Sequence, residues 1–204
     1  MKKNIIFYTL TSFILMSCGS STEKKVEKLI KEEIQSTLYY PESYDPVETT
    51  IDSAFSPLDN SIYMNHFIML TEIGRELKNL EYKANISKSD MALWGNSGYY
   101  YTDFERAHYQ EAEKEYDNVL VQEKMLHNKA EEILSEMQEI VDKGVFFIGY
   151  KANHRYRSKT NSGNIIISDM VILLNKDITE VVATYDADLY NSMQDAIEII
   201  SNYQ

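Results

Sequence analysis

Two stretches of this chain repeat apolar side chains three and four residues apart, and that spacing restricts the fold more than any other feature. Tyr63, His66, Leu70, Ile73, Leu77, Leu80 and Ala84 make the first stripe. Tyr109, Ala112, Tyr116, Val119, Glu123, Leu126, Ala130, Ile133, Met137 and Ile140 make the second, with Glu123 its one break. A strand repeats every two residues, so a mean spacing of 3.5 held over about four heptads demands helices packed along a shared seam. The pattern predicts an antiparallel, coiled-coil-like helical hairpin. Its arms are expected to be unequal, ~22 residues or about 33 Å against ~40 residues or about 60 Å. The surplus of the second would then cover other parts of the fold. Residues 85–103 between them read as a loop carrying Trp94, Tyr99, Tyr100 and Tyr101 around Gly95 and Gly98. Aromatic loops of that length suit a binding role, on a sugar or on a partner protein, and suit equally a cap over the hairpin tip.

The flanks speak of a mixed fold. Val26, Leu29, Ile30, Ile34 and Leu38 share one face of a helix over 23–38, which Pro41 and Pro46 end. From Val47 to Phe55 the set Val47, Thr49, Ile51, Ser53 and Phe55 alternates with polar neighbours, as a half-buried strand requires. Gly144 suits the close of the second long helix. Strands are expected over 146–158, 165–174 and 178–185, with turns at 160–164 and 175–177. A last amphipathic helix carries Leu189, Met193, Ala196, Ile197, Ile200 and Tyr203. The class expected is α+β: an antiparallel sheet of about four strands, packed on one face by N- and C-terminal helices. The helical hairpin at about 60–143 is an insertion into a single domain spanning 23–204.

The first residues carry an address. Lys2 and Lys3 precede an apolar run from Ile5 to Leu15, diluted by Thr9, Thr11 and Ser12. Eleven helical residues reach only ~16 Å, about half a bilayer's hydrocarbon thickness, which fits a signal peptide over 1–17 rather than a span. Leu15-Met16-Ser17-Cys18-Gly19 resembles the lipobox of bacterial lipoproteins, with Met16 larger than that position usually holds. The resemblance implies that Cys18, the lone cysteine, is lipidated and becomes the first residue of the exported chain. Residues 18–22 would be a short tether at the membrane. With Gly19 after the cysteine, the implied address is the cell envelope, at the outer membrane on its periplasmic or surface face.

A second resemblance rests on Tyr40-Pro41-Glu42-Ser43-Tyr44-Asp45-Pro46-Val47 and on the run from Gly149 to Gly163, which includes His154-Arg155-Tyr156-Arg157-Ser158-Lys159-Thr160-Asn161. Both are similar to stretches in a group of small exported bacterial proteins and lipoproteins that share a Pro-x-Ser-Tyr-x-Pro turn. Here Thr160 and Ser162 flank Asn161, where that group tends to have adjacent Lys-Asn. The likeness implies a fold and an exported location; it brings no activity with it.

Charge singles out one strand. The chain carries -12, and losing Lys2 and Lys3 with the signal leaves 18 basic against 32 acidic residues, or -14. Such a surface disfavours nucleic acid. Yet from Lys143 to Ser168 there is no acid, and Lys143, Lys151, Arg155, Arg157 and Lys159 all fall there. Alternation puts Lys151, Arg155, Arg157 and Lys159 on one face and Tyr150, Ala152, His154 and Tyr156 on the other. The basic row suits an anion-binding surface. It suits equally cations paired with the acidic long helix or standing on a solvated face. His154 is expected as a satisfied core histidine. Glu105-Arg-Ala-His108 has the Glu-x-x-His spacing of carboxylate-bridged metal bundles, but neither His66 nor His127 supplies the second copy such sites need. No metal or cofactor is expected. The function expected is a membrane-tethered, non-enzymatic interaction module with an envelope protein partner. The alternative is a small enzyme or ligand-binding domain working on an anionic envelope substrate.

Overall fold

The computed structural model describes residues 22–95 and 102–202, without the side chains of 199–202. Cys18 and the signal segment, and Tyr99, Tyr100 and Tyr101, lie outside the described residues. The fold is α+β, with four helices and one four-stranded antiparallel sheet in the order β1-β2-β3-β4.

Helix α1, Thr22–Thr37, buries Val26, Ile30 and Ile34, four residues apart along one face. A short turn at Pro41–Ser43 leads into β1, Asp45–Ser56. Helices α2, Ser61–Trp94, and α3, Asp103–Asp142, follow. Then come β2, Phe146–Lys159, β3, Ile165–Asn175, β4, Val181–Asp186, and α4, Ala187–Asn202.

Helices line both faces of the sheet, not one. Val171 and Ile172 are neighbours on β3 and point to opposite sides. Ile172 joins Ala152, Tyr156 and Leu174 against Val26, Ile30 and Ile34 of α1. Val171 joins Leu173 and Tyr185 against Met64 of α2 and Tyr190, Met193 and Ile197 of α4. Each fully buried Ile or Val contributes on the order of 2 kcal/mol. A central strand apolar on both faces is how the sequence of β3 reads, and two helical layers are what such a strand needs.

Three boundaries depart from the periodicity. Helix α2 continues through 85–94, so the helices have 34 and 40 residues, about 51 and 60 Å, and are nearly matched. The polar run Asn85–Asp90 stays helical because Ala84 and Ser87 are buried, Lys88 lies over the Tyr116 ring, and Ser89 Oγ donates to the Asn85 carbonyl. In β2 a bulge at Ile148, between the pairs Ala54–Gly149 and Phe55–Phe147, interrupts the alternation and puts Phe147 beside Phe55 and Tyr150; in β1, Ala54 and Ser56 are buried while Phe55 is exposed. Ile178 lies in the turn before β4, at φ 52, where its buried side chain in the α1 cluster holds a backbone conformation that β-branched residues avoid.

Between α2 and α3 the contacts run in sequence. His66 stands 2.7 Å from Glu136, Ile73 packs with Ile133 and Met137, and Leu80 and Ala84 pack with Val119. Trp94 meets Phe104 and His108. From Ile73 onward the buried apolar side chains of α2 belong to clusters shared with α3.

At Gly149 the backbone of β2 comes close to that of β3. A Cβ there would sit 2.0 Å from the Leu174 carbonyl oxygen, which is fixed in the ladder. Gly149→Ala is expected to cost ~3 kcal/mol or more, because backbone rather than a side chain must give way. Urea denaturation of the two proteins checks this; a change below the usual surface value would place the strands farther apart.

Candidate functional site

The basic strand is an ion-paired face. Lys151, Arg155, Arg157 and Lys159 share one side of β2, as alternation requires. The partners of the two arginines come from neighbouring strands, not from the long acidic helix. Arg155 is opposite Asp169 of β3 and holds it through two hydrogen bonds, Nε to Oδ1 at 2.7 Å and Nη2 to Oδ2 at 3.1 Å. Arg157 is opposite Asp45 of β1, with Nη1 3.2 Å from its Oδ2. The hydrogen bond from Arg155 holds the Asp169 carboxyl below its ordinary value, and that carboxylate raises the guanidinium in turn. A depression of about 250 Å³ borders Arg155, but Glu48 and Asp169 line it too, so its formal charge is negative. An anion arriving there meets a guanidinium already engaged.

Lys151 belongs to a different group. Its ammonium lies 3.0 Å from Oδ1 of buried Asp59 and 5.4 Å from the ring centroid of Tyr190. Tyr190 donates its hydroxyl to the same carboxylate oxygen, and the Phe55 amide donates to Oδ2 at 2.8 Å. Burial first, and the Asp59 hydrogen bond second, push the Tyr190 phenol well above its ordinary range, so it remains a donor. Asp59 sits in the turn between β1 and α2. Next to it Asn60 caps α2, accepting from the amides of Ile62 and Tyr63. The Leu58 carbonyl accepts from Gln194 of α4. One carboxylate therefore joins β1, β2 and α4 where the chain leaves the sheet. Sequence reasoning missed it, since Ser-Pro-Leu-Asp-Asn reads as an ordinary turn and Tyr190 as one more polar helical position.

His154 is buried and satisfied. Its Nε2 lies 2.9 Å from the Tyr44 hydroxyl and its Nδ1 2.8 Å from Thr49 Oγ1, with Tyr156 stacked alongside. Burial pushes the imidazole below its ordinary value, outweighing a hydrogen bond to the Glu48 backbone. Burial, then Tyr156 and Glu27, push Tyr44 up to about 12, so the phenol keeps its proton beside a neutral ring.

Glu105 and His108 do not converge on a metal. Glu105 closes a capping box with Thr102, accepting from its amide at 2.9 Å while Thr102 Oγ1 accepts from the Glu105 amide. His108 stacks on Trp94 with centroids 5.0 Å apart and meets Phe104 edge to face at 4.4 Å. Trp94 is thus the last residue of α2 rather than part of a loop. At this end Leu93 is 66% and Phe104 63% exposed, beside a mutually packed ring cluster. A concavity of about 350 Å³ lies elsewhere, between Phe67 and Ile68 of α2 and Leu189 and Met193 of α4.

Two measurements test these assignments. Asp59→Asn removes the charge that holds Lys151 and is expected to cost about 2–4 kcal/mol, reduced from a fully buried pair because Lys151 keeps some solvent contact. A cost under half a kcal/mol in urea titrations would make the junction incidental. For His154 the unfolded chain takes up a proton first as pH falls. Its contribution is whole above about 6.5 and is lost as pH falls through the lower folded value. Stability is expected to decline across that window in the native chain and to decline less in His154→Gln, by equilibrium unfolding at a series of pH values.

No family model, no curated protein and no solved structure matches this chain.

Proposed function

We propose that this chain is a bacterial envelope lipoprotein, lipidated at Cys18, whose α2 and α3 form an antiparallel, coiled-coil-like arm that presents an aromatic end to a protein partner. The observation that carries this reading is the far end of the two helices. Beyond Ile73, α2 has no buried side chain in the sheet's clusters, and about 33 Å of helix leads on to Trp94. A helix pair that long contributes little to the domain's own core. Its worth lies in reach. At its end Trp94, Phe104 and His108 pack against each other, while exposed Leu93 and Phe104 leave apolar surface for a second molecule. Aromatic anchors surrounded by polar residues are what protein interfaces use.

The lipobox resemblance supplies the tether: acyl chains, at ~0.8 kcal/mol per buried methylene, hold a protein at a membrane. No helix among the described residues is long and apolar enough to cross one. The second reading, an anion-processing domain over Lys151, Arg155, Arg157 and Lys159, is the weaker, since Asp59, Asp169 and Asp45 already engage the first three.

The experiment places a photo-crosslinker at Leu93 or Phe104 in cells, with Glu48 on the sheet as the control position. One defined envelope protein is expected from the two arm positions and not from Glu48, and Cys18→Ser is expected to release the chain from membranes and abolish the product. Equal capture from all three positions, or capture that survives release, would count against the reading.

A further inference from the structure

We propose that Ile165–Asp169, the first half of β3, is a docking strand for a second copy of this chain, which pairs with it antiparallel across a two-fold axis. On one side β3 is hydrogen-bonded to β2 from Ile165 to Asn175 without a bulge. On the other side β4 reaches only from Leu174 to Met170. Among the described residues, no strand pairs with Ile165–Asp169 on that side. The cause lies at Asp186. Its carboxylate turns to cap α4, accepting from the amides of Asp188 and Leu189 at 3.0 and 3.1 Å, and the strand stops there. Along these five residues of β3, the alternate ones whose N–H and C=O point away from β2 keep unpaired backbone groups as a result.

That edge is apolar over its first three residues, and its one charge, Asp169, is held by Arg155. Ile165, Ile166 and Ile167 are 69%, 44% and 61% exposed, on both faces of the strand. Edge strands are commonly blunted by proline, lysine or a bulge. The five residues hold no proline or lysine.

Three observations favour a second copy as the occupant. An antiparallel two-fold pairing sets the open residues of one chain against those of the other, Ile167 at the centre, and each strand runs out where pairing of the other's β3 with its own β4 starts at Met170. Charge agrees. Copies of a -12 chain repel, but all of this edge except Asp169 belongs to the acid-free stretch 143–168, and Arg157 and Arg155 there are neutralised by Asp45 and by Asp169 itself. Approach here meets the least repulsion. The area sets the strength: three half-exposed isoleucines and a five-residue ladder cover on the order of 400 Å² per copy, against about 800 Å² per partner in a standard interface. The pair is therefore weak in dilute solution and fills at high local concentration or raised salt. The inference requires neither anchor nor arm and stands or falls apart from them.

The test uses the whole exported chain with Cys18→Ser, so that an introduced thiol stands alone. With Ile167→Cys, mild oxidation is expected to give a disulfide-linked dimer that Tyr82→Cys, equally exposed on α2, does not give. Sedimentation of the parent chain is expected to show mass rising with concentration and with salt, and Ile165→Lys/Ile167→Lys to lose the dimer while keeping its circular dichroism. Should the lysines perturb folding, Ile165→Thr/Ile167→Thr keeps β-forming residues and is expected to weaken the dimer. A chain that stays monomeric up to millimolar concentration overturns the proposal. So does dimerisation indifferent to these substitutions, cross-linking equal at position 82, or an edge that takes an extended peptide of another protein in place of a copy.

Discussion

The carboxylate of Asp59 is the constraint on which the arrangement of the layers depends. A buried carboxylate is tolerated only when its oxygens are filled, and here Lys151, Tyr190 and the Phe55 amide fill them from β2, α4 and β1. Those three elements meet where the chain turns out of the sheet into α2, one residue before the Asn60 cap. Apolar packing alone would let α2 slide or tilt against α4 at modest cost, because hydrophobic contact has no direction. A shared charge with three donors does have direction. It fixes the departure of α2, and with it the line along which the helix pair extends.

A related economy governs the basic strand. Five cations in a stretch without acid look like a surface built for anions until the register is known. Cross-strand pairing then puts Arg155 beside Asp169 and Arg157 beside Asp45, acids that lie far off in sequence. The exposed pairs contribute little stability, as surface ion pairs do. Their larger effect is on the field: they leave a nearly neutral margin on an acidic protein, next to the isoleucines of the open β3 edge. Neutral surface, free backbone groups and exposed apolar side chains coincide there because β4 ends early, at the cap of α4.

Periodicity carried the secondary structure because it reports on burial, and burial is what makes helices and strands persist. The two long helices, the α1 face and the alternation along most of β2 were legible from residue spacing alone, as was a satisfied His154 among aromatic neighbours. Spacing failed where a local rule met a tertiary contact. Residues 85–94 have the composition of a loop but lie against α3, and a packed neighbour overrides weak propensity. The bulge in β2 at Ile148 turns Phe147 toward Tyr150, where strict alternation would put it on the face of Lys151.

Composition and order along the chain thus determined the elements and the segregation of charge. Only the tertiary structure decided that helices cover both faces of the sheet, that the basic row is neutralised by Asp45 and Asp169, and that Asp59 joins Lys151 and Tyr190. The physical reason is common to all three. Each depends on which residues distant in sequence come to face each other, and periodicity tells a side chain which way to point without telling it what it will meet.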